Sequence, residues 1–324
     1  MKKGLLLLSA CVVVLVSALA WFFLLRQGSS DEKTTVSDRS PLRSGVVSSY
    51  HSDSDMEDQE EEVHGSGHLA GKAESTPSAE KQAPAEMVEK FVELSGAASD
   101  FDQMDAMLDQ QVEAILENTE LEGEDREKLA QLFREGLSGA ALLEAYKERI
   151  ASEFTREEIA ELIQDAQDPV MQEVQQQNAR MMGLSQEEAE KEFEKFIRDS
   201  ENTPVSEERN NAITSLAENA GQGEYIADLM LDMVDIFAKD APELTHSPEQ
   251  RAEMKEQIVQ PFTESMKLGF RTQLQNVSDA NVLKFAAMKG KPVQVRDVKI
   301  RQDVVRKSLL KLGKRTSKAF PKKK

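Results

Sequence analysis

The sequence predicts an all-α protein in which an N-terminal transmembrane helix and a disordered linker precede two tandem helical-bundle repeats. Residues 4–25 form an apolar run without a charged side chain, and the residues after them are rich in Ser, Gly and acid. From Met87 onward, apolar residues recur at three- and four-residue steps, which is the period of an amphipathic helix. Aromatic residues make up 5% of the chain, which disfavours a β-sandwich.

The apolar run at residues 4–25 is long enough to cross a membrane. As a helix it would span about 33 Å, and a bilayer core is about 30 Å thick. Lys2 and Lys3 precede it, so the positive-inside rule predicts a cytoplasmic N-terminus and an exported remainder. We therefore expect a signal anchor at residues 1–26, in a single-pass inner-membrane protein with a periplasmic helical domain.

Two other fates of this segment remain open. Cleavage after Ala18-Leu19-Ala20 would release a secreted protein, although its mature start would be the apolar Trp21. Leu8-Ser9-Ala10-Cys11 resembles a lipoprotein signal, although most of the apolar stretch follows the cysteine. Cys11 is the sole cysteine, so an intramolecular disulfide and a cysteine-based metal site are excluded.

Residues 27–85 predict a disordered acidic linker, because they contain few large apolar residues. His64 and His68 follow an acidic cluster at residues 53–62, which is one arrangement for a loose metal site. A solvated spacer is the simpler interpretation, since nothing holds these side chains on one face.

The charge is distributed unevenly. The chain carries −19, and residues 296–324 hold 12 basic and 2 acidic residues, a net charge of +10. Because residues 1–86 carry −5, residues 87–295 carry −24. The central region therefore repels nucleic acid, which we exclude as a partner. The basic amphipathic tail at 301–324 has three interpretations: it binds an anionic envelope surface, it folds back on the acidic region, or it only keeps the chain soluble.

Helix start signals are frequent in the central region. Thr155 with Glu158 and Ser247 with Gln250 form capping boxes, and Pro248 and Pro169 occupy first-turn positions. Together with the apolar periodicity, these signals predict helices near 86–95, 99–117, 124–135, 138–153, 156–166, 169–182, 185–199, 207–219, 223–239, 248–259, 262–276, 279–288 and 293–312.

The sequence from Met87 onward predicts two copies of one helical unit. A shift of about 125 residues pairs apolar positions from Val88 onward and also pairs Gly96 with Gly221; a shift of 123 pairs Pro169 with Pro292. Matching glycines and prolines at helix boundaries are harder to obtain by chance than matching apolar stripes. We expect helical repeat 1 at 86–182, a connecting helix at 183–205 and helical repeat 2 at 206–300.

Short motifs resemble a known family. Leu94-Ser95-Gly96, then Phe154-Thr155-Arg156-Glu157-Glu158-Ile159, then Asp168-Pro169 are similar to the pattern of a bacterial exported helical family, known as domain of unknown function 2059. Met171 stands where that family has a glycine, and the second copy matches less well. The resemblance implies export and an all-helical fold, and it brings no catalytic residue.

Side-chain chemistry predicts no catalytic, cofactor-binding or metal-binding residue. Three of the four histidines lie in the linker, and abundant carboxylates on helices are expected to be solvated faces. Met104/Met107 and Met230/Met233 have M-x-x-M spacing, which suits core packing, a greasy groove or soft-metal binding.

The expected function is therefore that of a membrane-anchored extracytoplasmic interaction module rather than an enzyme. An envelope protein or an anionic envelope surface is the expected partner. A carrier of a hydrophobic ligand in a Met-lined groove is the alternative. The sequence leaves the oligomeric state open.

Overall fold

The computed structural model describes residues 83–117, 123–182, 205–238 and 246–320, together with parts of 184–198. Eleven helices have defined bounds: α1 Ala85–Leu94, α2 Ala97–Glu117, α3 Gly123–Gly136, α4 Gly139–Glu153, α5 Arg156–Ala166, α6 Pro169–Met182, α7 Glu207–Ala220, α8 Gln222–Ala238, α9 Pro248–Gln273, α10 Asp279–Lys289 and α11 Pro292–Ala319. The described part contains no strand, which confirms the all-α class.

The expected membrane helix and nearly all of the expected linker fall at residues 1–82, outside the described residues. Among the helices that are described, none combines the length and apolarity that a membrane span requires.

Side-chain capping bonds mark the starts of several helices. Thr155 and Glu158 form a reciprocal capping box at α5, and Ser247 and Gln250 form another at α9, as predicted. The Asp168 carboxylate accepts from the Val170 backbone N–H at 2.9 Å at the start of α6. These bonds satisfy backbone donors that the first turn of a helix leaves unpaired.

Two predicted boundaries are not seen. The break expected between residues 259 and 262 is absent, because α9 continues through Pro261. Its first part packs beside one hydrophobic core and its second part is buried in another, so tertiary contacts hold the helix continuous. The tail expected from residue 301 belongs to α11, which buries Val304, Val305 and Leu309.

The two hydrophobic cores do not divide the chain into consecutive halves. The first core combines α1–α5 with α8 and α11. The second core combines α6 with α7, α10 and the end of α9. Thus the apolar residues Val170, Met171 and Val174 of α6 belong to the second core, and α11 contacts α3, α4 and α8. The last helix of each expected repeat therefore packs against helices of the other repeat.

Ion pairs accompany this packing. Arg296 of α11 lies 2.6 Å from Glu158, and Arg306 pairs with Asp232 of α8. Lys291, just before α11, lies 2.6 Å from Asp165. These basic residues are thus paired with acidic residues of α5 and α8.

We predict that Gly139→Ala destabilises the protein. An added Cβ would lie 2.1 Å from the backbone oxygen of Phe101, because α2 and α4 approach closely at this point. Backbone cannot yield as a flexible side chain does, so the free energy of unfolding should fall by about 2 kcal/mol or more. Urea unfolding followed by circular dichroism measures it.

Gly269→Ala is the matched control, since an added Cβ there meets no atom within 4 Å. Inside α9 this change should raise the free energy of unfolding by about 0.5–1 kcal/mol. Equal effects of the two substitutions would contradict the close approach of α2 and α4.

Candidate functional site

A polar cavity of about 50 Å³ lies where helices of both cores meet. Helices α1, α2, α5, α6, α8, α10 and α11 all contribute to its wall. Four glutamine side chains reach it: Gln175, Gln222, Gln294 and Gln302. So concentrated a set of polar groups is unusual at the junction of hydrophobic cores and marks the candidate site.

The Arg301 guanidinium is the best-connected group of the cavity wall. Its Nε donates to Asp297 at 3.2 Å, and its two terminal nitrogens donate to Asp100 at 3.4 Å and to Ser95 at 3.2 Å. The side chain is 16% exposed. A single charged group from α11 thus joins the end of α1 and the start of α2.

Tyr146 of α4 completes this network. Its hydroxyl donates to Asp297, and its ring centroid lies 5.0 Å from the guanidinium of Arg301. The tyrosine is fully buried, and burial raises its pKa well above the ordinary value. Burial opposes the charge of Arg301, but Asp297 and Tyr146 outweigh it and raise the pKa of the guanidinium. Both groups therefore keep their protons across physiological pH.

A second set of bonds fixes the other wall. Asp165 is 5% exposed, lies 2.6 Å from Lys291 and accepts from Gln294 at 3.1 Å. Gln302 donates to the backbone oxygen of Ala220, at the end of α7, at 2.8 Å. These bonds join α11 to α5 and α7, as the Arg301 network joins it to the end of α1 and to α2 and α4.

The remaining charged group of the wall is Lys289, the last residue of α10. The residue is half-buried, and its ammonium nitrogen lies 5.9 Å from the centroid of the Phe285 ring. Burial, followed by the charge of Arg301, lowers the pKa of Lys289 to about 8. The pKa of Lys289 is therefore closer to neutral pH than that of an ordinary lysine.

The sequence did not identify this cavity. Arg301 and Asp297 were counted within a basic stretch, and Lys289 and Tyr146 carried no motif. One usable signal was present: Asp297 and Arg301 are four residues apart on a helix that also buries Val304 and Val305, which places charges beside an apolar stripe.

The methionines take mainly core positions. Met104 and Met233 are buried in the first core, and Met266 is buried in the second. Met171 reaches the polar cavity, whose size and lining suit a small polar species better than a lipid. Within the described residues, no group of three or more His, Cys, Asp or Glu side chains could hold a metal ion.

A separate surface feature lies on the outer face of α11. The lysine row, Lys307, Lys311, Lys314 and Lys318, is exposed and has helical spacings of four, three and four residues. Lys307 pairs with Asp303 at 3.0 Å, and the other three have no ion pair among the described residues. The row is thus a local basic face on an acidic protein.

Comparison with protein-family models, with curated proteins and with solved structures finds no match to this chain.

We predict that Arg301→Met strongly destabilises the protein. The change would leave Asp297, which is 6% exposed, and Asp100 without their cation. Breaking a buried pair costs about 3–5 kcal/mol in the free energy of unfolding. Urea unfolding of the variant measures this loss.

Arg315→Met is the matched control, because Arg315 is 47% exposed and lies 3.9 Å from Glu135. Its loss should cost about 1 kcal/mol or less. If Arg301→Met were as mild as this control, the network would not be the main polar link of α11.

Proposed function

We propose that this protein is a membrane-anchored extracytoplasmic interaction module whose lysine row contacts an anionic envelope surface. In this proposal, residues 1–26 anchor the chain in the inner membrane with the N-terminus in the cytoplasm. Residues 27–85 act as a tether, and the helical region lies in the periplasm. The lysine row is the observation that carries the proposal.

Electrostatics supports this orientation. Each basic residue near an anionic bilayer contributes about 1 kcal/mol before salt screening. The three lysines of the row without an ion pair therefore give an attraction of about 3 kcal/mol, while the acidic remainder of the helical region is repelled. Attraction on one face and repulsion elsewhere would orient the helical region with α11 toward the surface.

Tethering strengthens so weak a contact. A flexible chain as long as residues 27–85 has a root-mean-square end-to-end distance of about 40 Å. The lysine row would thus remain close to the bilayer, and binding becomes an intramolecular step with a high effective concentration. An isolated helical region would bind the same surface far more weakly.

We further propose that the helical region arose by duplication. Gly96, between α1 and α2, and Gly221, between α7 and α8, both have positive φ, 73° and 58°. Pro169 begins α6 and Pro292 begins α11, which are the last helices of the two expected copies. The packing of α1 on α5 has its counterpart in α7 on α10. This correspondence, with the resemblance to the exported family, supports a scaffold built from two copies.

The anchor has a direct test in the intact mass of the protein isolated from its native membrane. The proposal predicts the mass of the full chain. A mass that begins at Trp21 would indicate a released protein, and one that begins at Cys11 with added lipid would indicate a lipoprotein; either would overturn the signal anchor.

The surface contact is tested by lysine acylation of the full chain reconstituted in vesicles. Anionic lipid should slow labelling of Lys311, Lys314 and Lys318 relative to zwitterionic lipid, because the bilayer shields them. High salt should restore labelling, since it screens the attraction. Mass spectrometry of the labelled peptides gives the rates.

The exposed lysines Lys90, Lys191 and Lys284 serve as internal controls, because they lie elsewhere on the helical region. Their labelling should not depend on lipid charge. Changing Lys311, Lys314 and Lys318 to Glu should abolish shielding of Lys307, whereas changing the three control lysines to Glu should not. A labelling rate of the row that ignores lipid charge would refute the contact.

A further inference from the structure

The lysine row on the outer face of α11 carries charge that the described residues do not neutralise. Its last three lysines are exposed and have no ion pair with any described residue. The ion pairs that join this half of α11 to α3 and α8 use its arginines instead. Arg315 lies 3.9 Å from Glu135 of α3, and Arg306 pairs with Asp232 of α8. The row is therefore a basic face that lacks an acidic partner within the described part of the chain.

The sequence supplies one strongly acidic segment on the same chain, the acidic cluster at residues 53–62. Seven of these ten residues are acidic and none is basic, so the cluster carries −7. It lies outside the described residues. Because like charges repel, the acidic faces of the helical region exclude the cluster, and the lysine row is the face that attracts it.

The chain that joins the cluster to the helical region is long enough to reach the row. Residues 63–82 span up to about 70 Å when extended, and a flexible chain of that length has a root-mean-square end-to-end distance of about 25 Å. Only α4 separates α1 from α11 along one series of contacts. Lys147 lies 3.0 Å from Glu89 of α1, and Arg149 lies 2.6 Å from Asp303 of α11. Packed helices are about 8–10 Å apart, so α1 and α11 are about 20 Å apart here.

The spacing of the charges suits a contact between an extended acidic chain and the row. Successive lysines of the row are three or four residues apart, which is a rise of about 4.5–6 Å along a helix. In an extended chain, alternate side chains point to the same side and recur about every 7 Å. Asp53, Asp55 and Glu57 follow this alternation. Three carboxylates of the cluster can therefore each meet a lysine of the row.

We propose that the acidic cluster at residues 53–62 docks on the lysine row of its own chain and competes there with the anionic surface. The contact is autoinhibitory, since a row covered by the cluster does not attract lipid headgroups. A higher density of anionic lipid displaces the cluster and brings α11 to the surface. This competition rests on the proposed function, whereas the docking itself is measured without anionic lipid.

The contact depends on the covalent link between the cluster and the helical region. Exposed pairs of a carboxylate and a lysine are individually weak. The link through residues 63–82 raises the effective concentration of the cluster at the row, so several weak pairs suffice. Salt screens exposed charges and weakens the contact. Docking of this strength exchanges rapidly, and a surface with many anionic groups displaces it.

Zero-length carbodiimide cross-linking of the full chain, in vesicles of zwitterionic lipid, tests the docking directly. The reagent joins a carboxyl to an amine only where the two groups touch, and mass spectrometry identifies the joined peptides. Cross-links should connect residues 53–62 with Lys311, Lys314 or Lys318 and should disappear at high salt. In an equal mixture of ¹⁵N-labelled and unlabelled protein, each cross-link should join peptides of one isotope. Cross-links that join the two isotopes would mean docking on a second copy and would overturn the proposal.

Neutralising the cluster, with each Asp of residues 53–62 changed to Asn and each Glu to Gln, removes its charge and leaves the described helices unaltered. Acylation of the last three lysines of the row, in zwitterionic vesicles, should become about threefold faster or more, because several weak pairs no longer shield them. The matched control neutralises acidic linker residues outside the cluster and should leave the rate unchanged; these are Asp31, Glu32, Asp38, Glu74 and Glu80. Equal rates for the neutralised cluster and the unmodified chain would overturn the docking.

A titration with anionic lipid separates this inference from the proposed function. The variant with the neutralised cluster should reach half of its full shielding at a lower fraction of anionic lipid than the unmodified chain. The same lipid dependence in both proteins would overturn the competition. If anionic lipid never shields the row of the variant, the proposed surface contact fails, and the cross-links in zwitterionic vesicles still decide the docking.

Discussion

The placement of α11 depends on one buried charged group, the guanidinium of Arg301. It is held by Asp297 on its own helix, by Asp100 and Ser95 on the other side, and by the ring of Tyr146. Val305 and Leu309 are buried on the same helix and add apolar packing beside this network. Because an unpaired buried charge is strongly destabilising, the bonds of Arg301 favour a single register of α11 against α1, α2 and α4.

The Arg301 network lies where helices of the two hydrophobic cores meet. The polar cavity lies beside the network, where α10 and α11 bring charges between the cores. Such a junction cannot be filled entirely by apolar side chains, since backbone and side-chain polar groups from several helix ends converge there. The lysine row lies on the exposed side of the same helix, away from this junction.

Helix positions were largely predictable from local signals, and their packing was not. The capping boxes at Thr155 and Ser247 and the helix-starting Pro169 gave nearly correct boundaries, because capping chemistry acts within one turn. Pro261 predicted a break that tertiary packing overrides. The placement of α6 in the second core and of α11 in the first, and the bond between Arg301 and Asp100, depend on contacts far apart in sequence, which apolar periodicity does not encode.

Native-state hydrogen exchange of the Arg301→Met variant tests most directly whether this network holds α11 to the first core. The account predicts that amides of α1, α2, α4 and α11 lose protection together and by similar free energies, since one group links them. The amides of α7 and α10, in the second core, should retain most of their protection. Loss of protection confined to the turns of α11 around residue 301 would contradict the account.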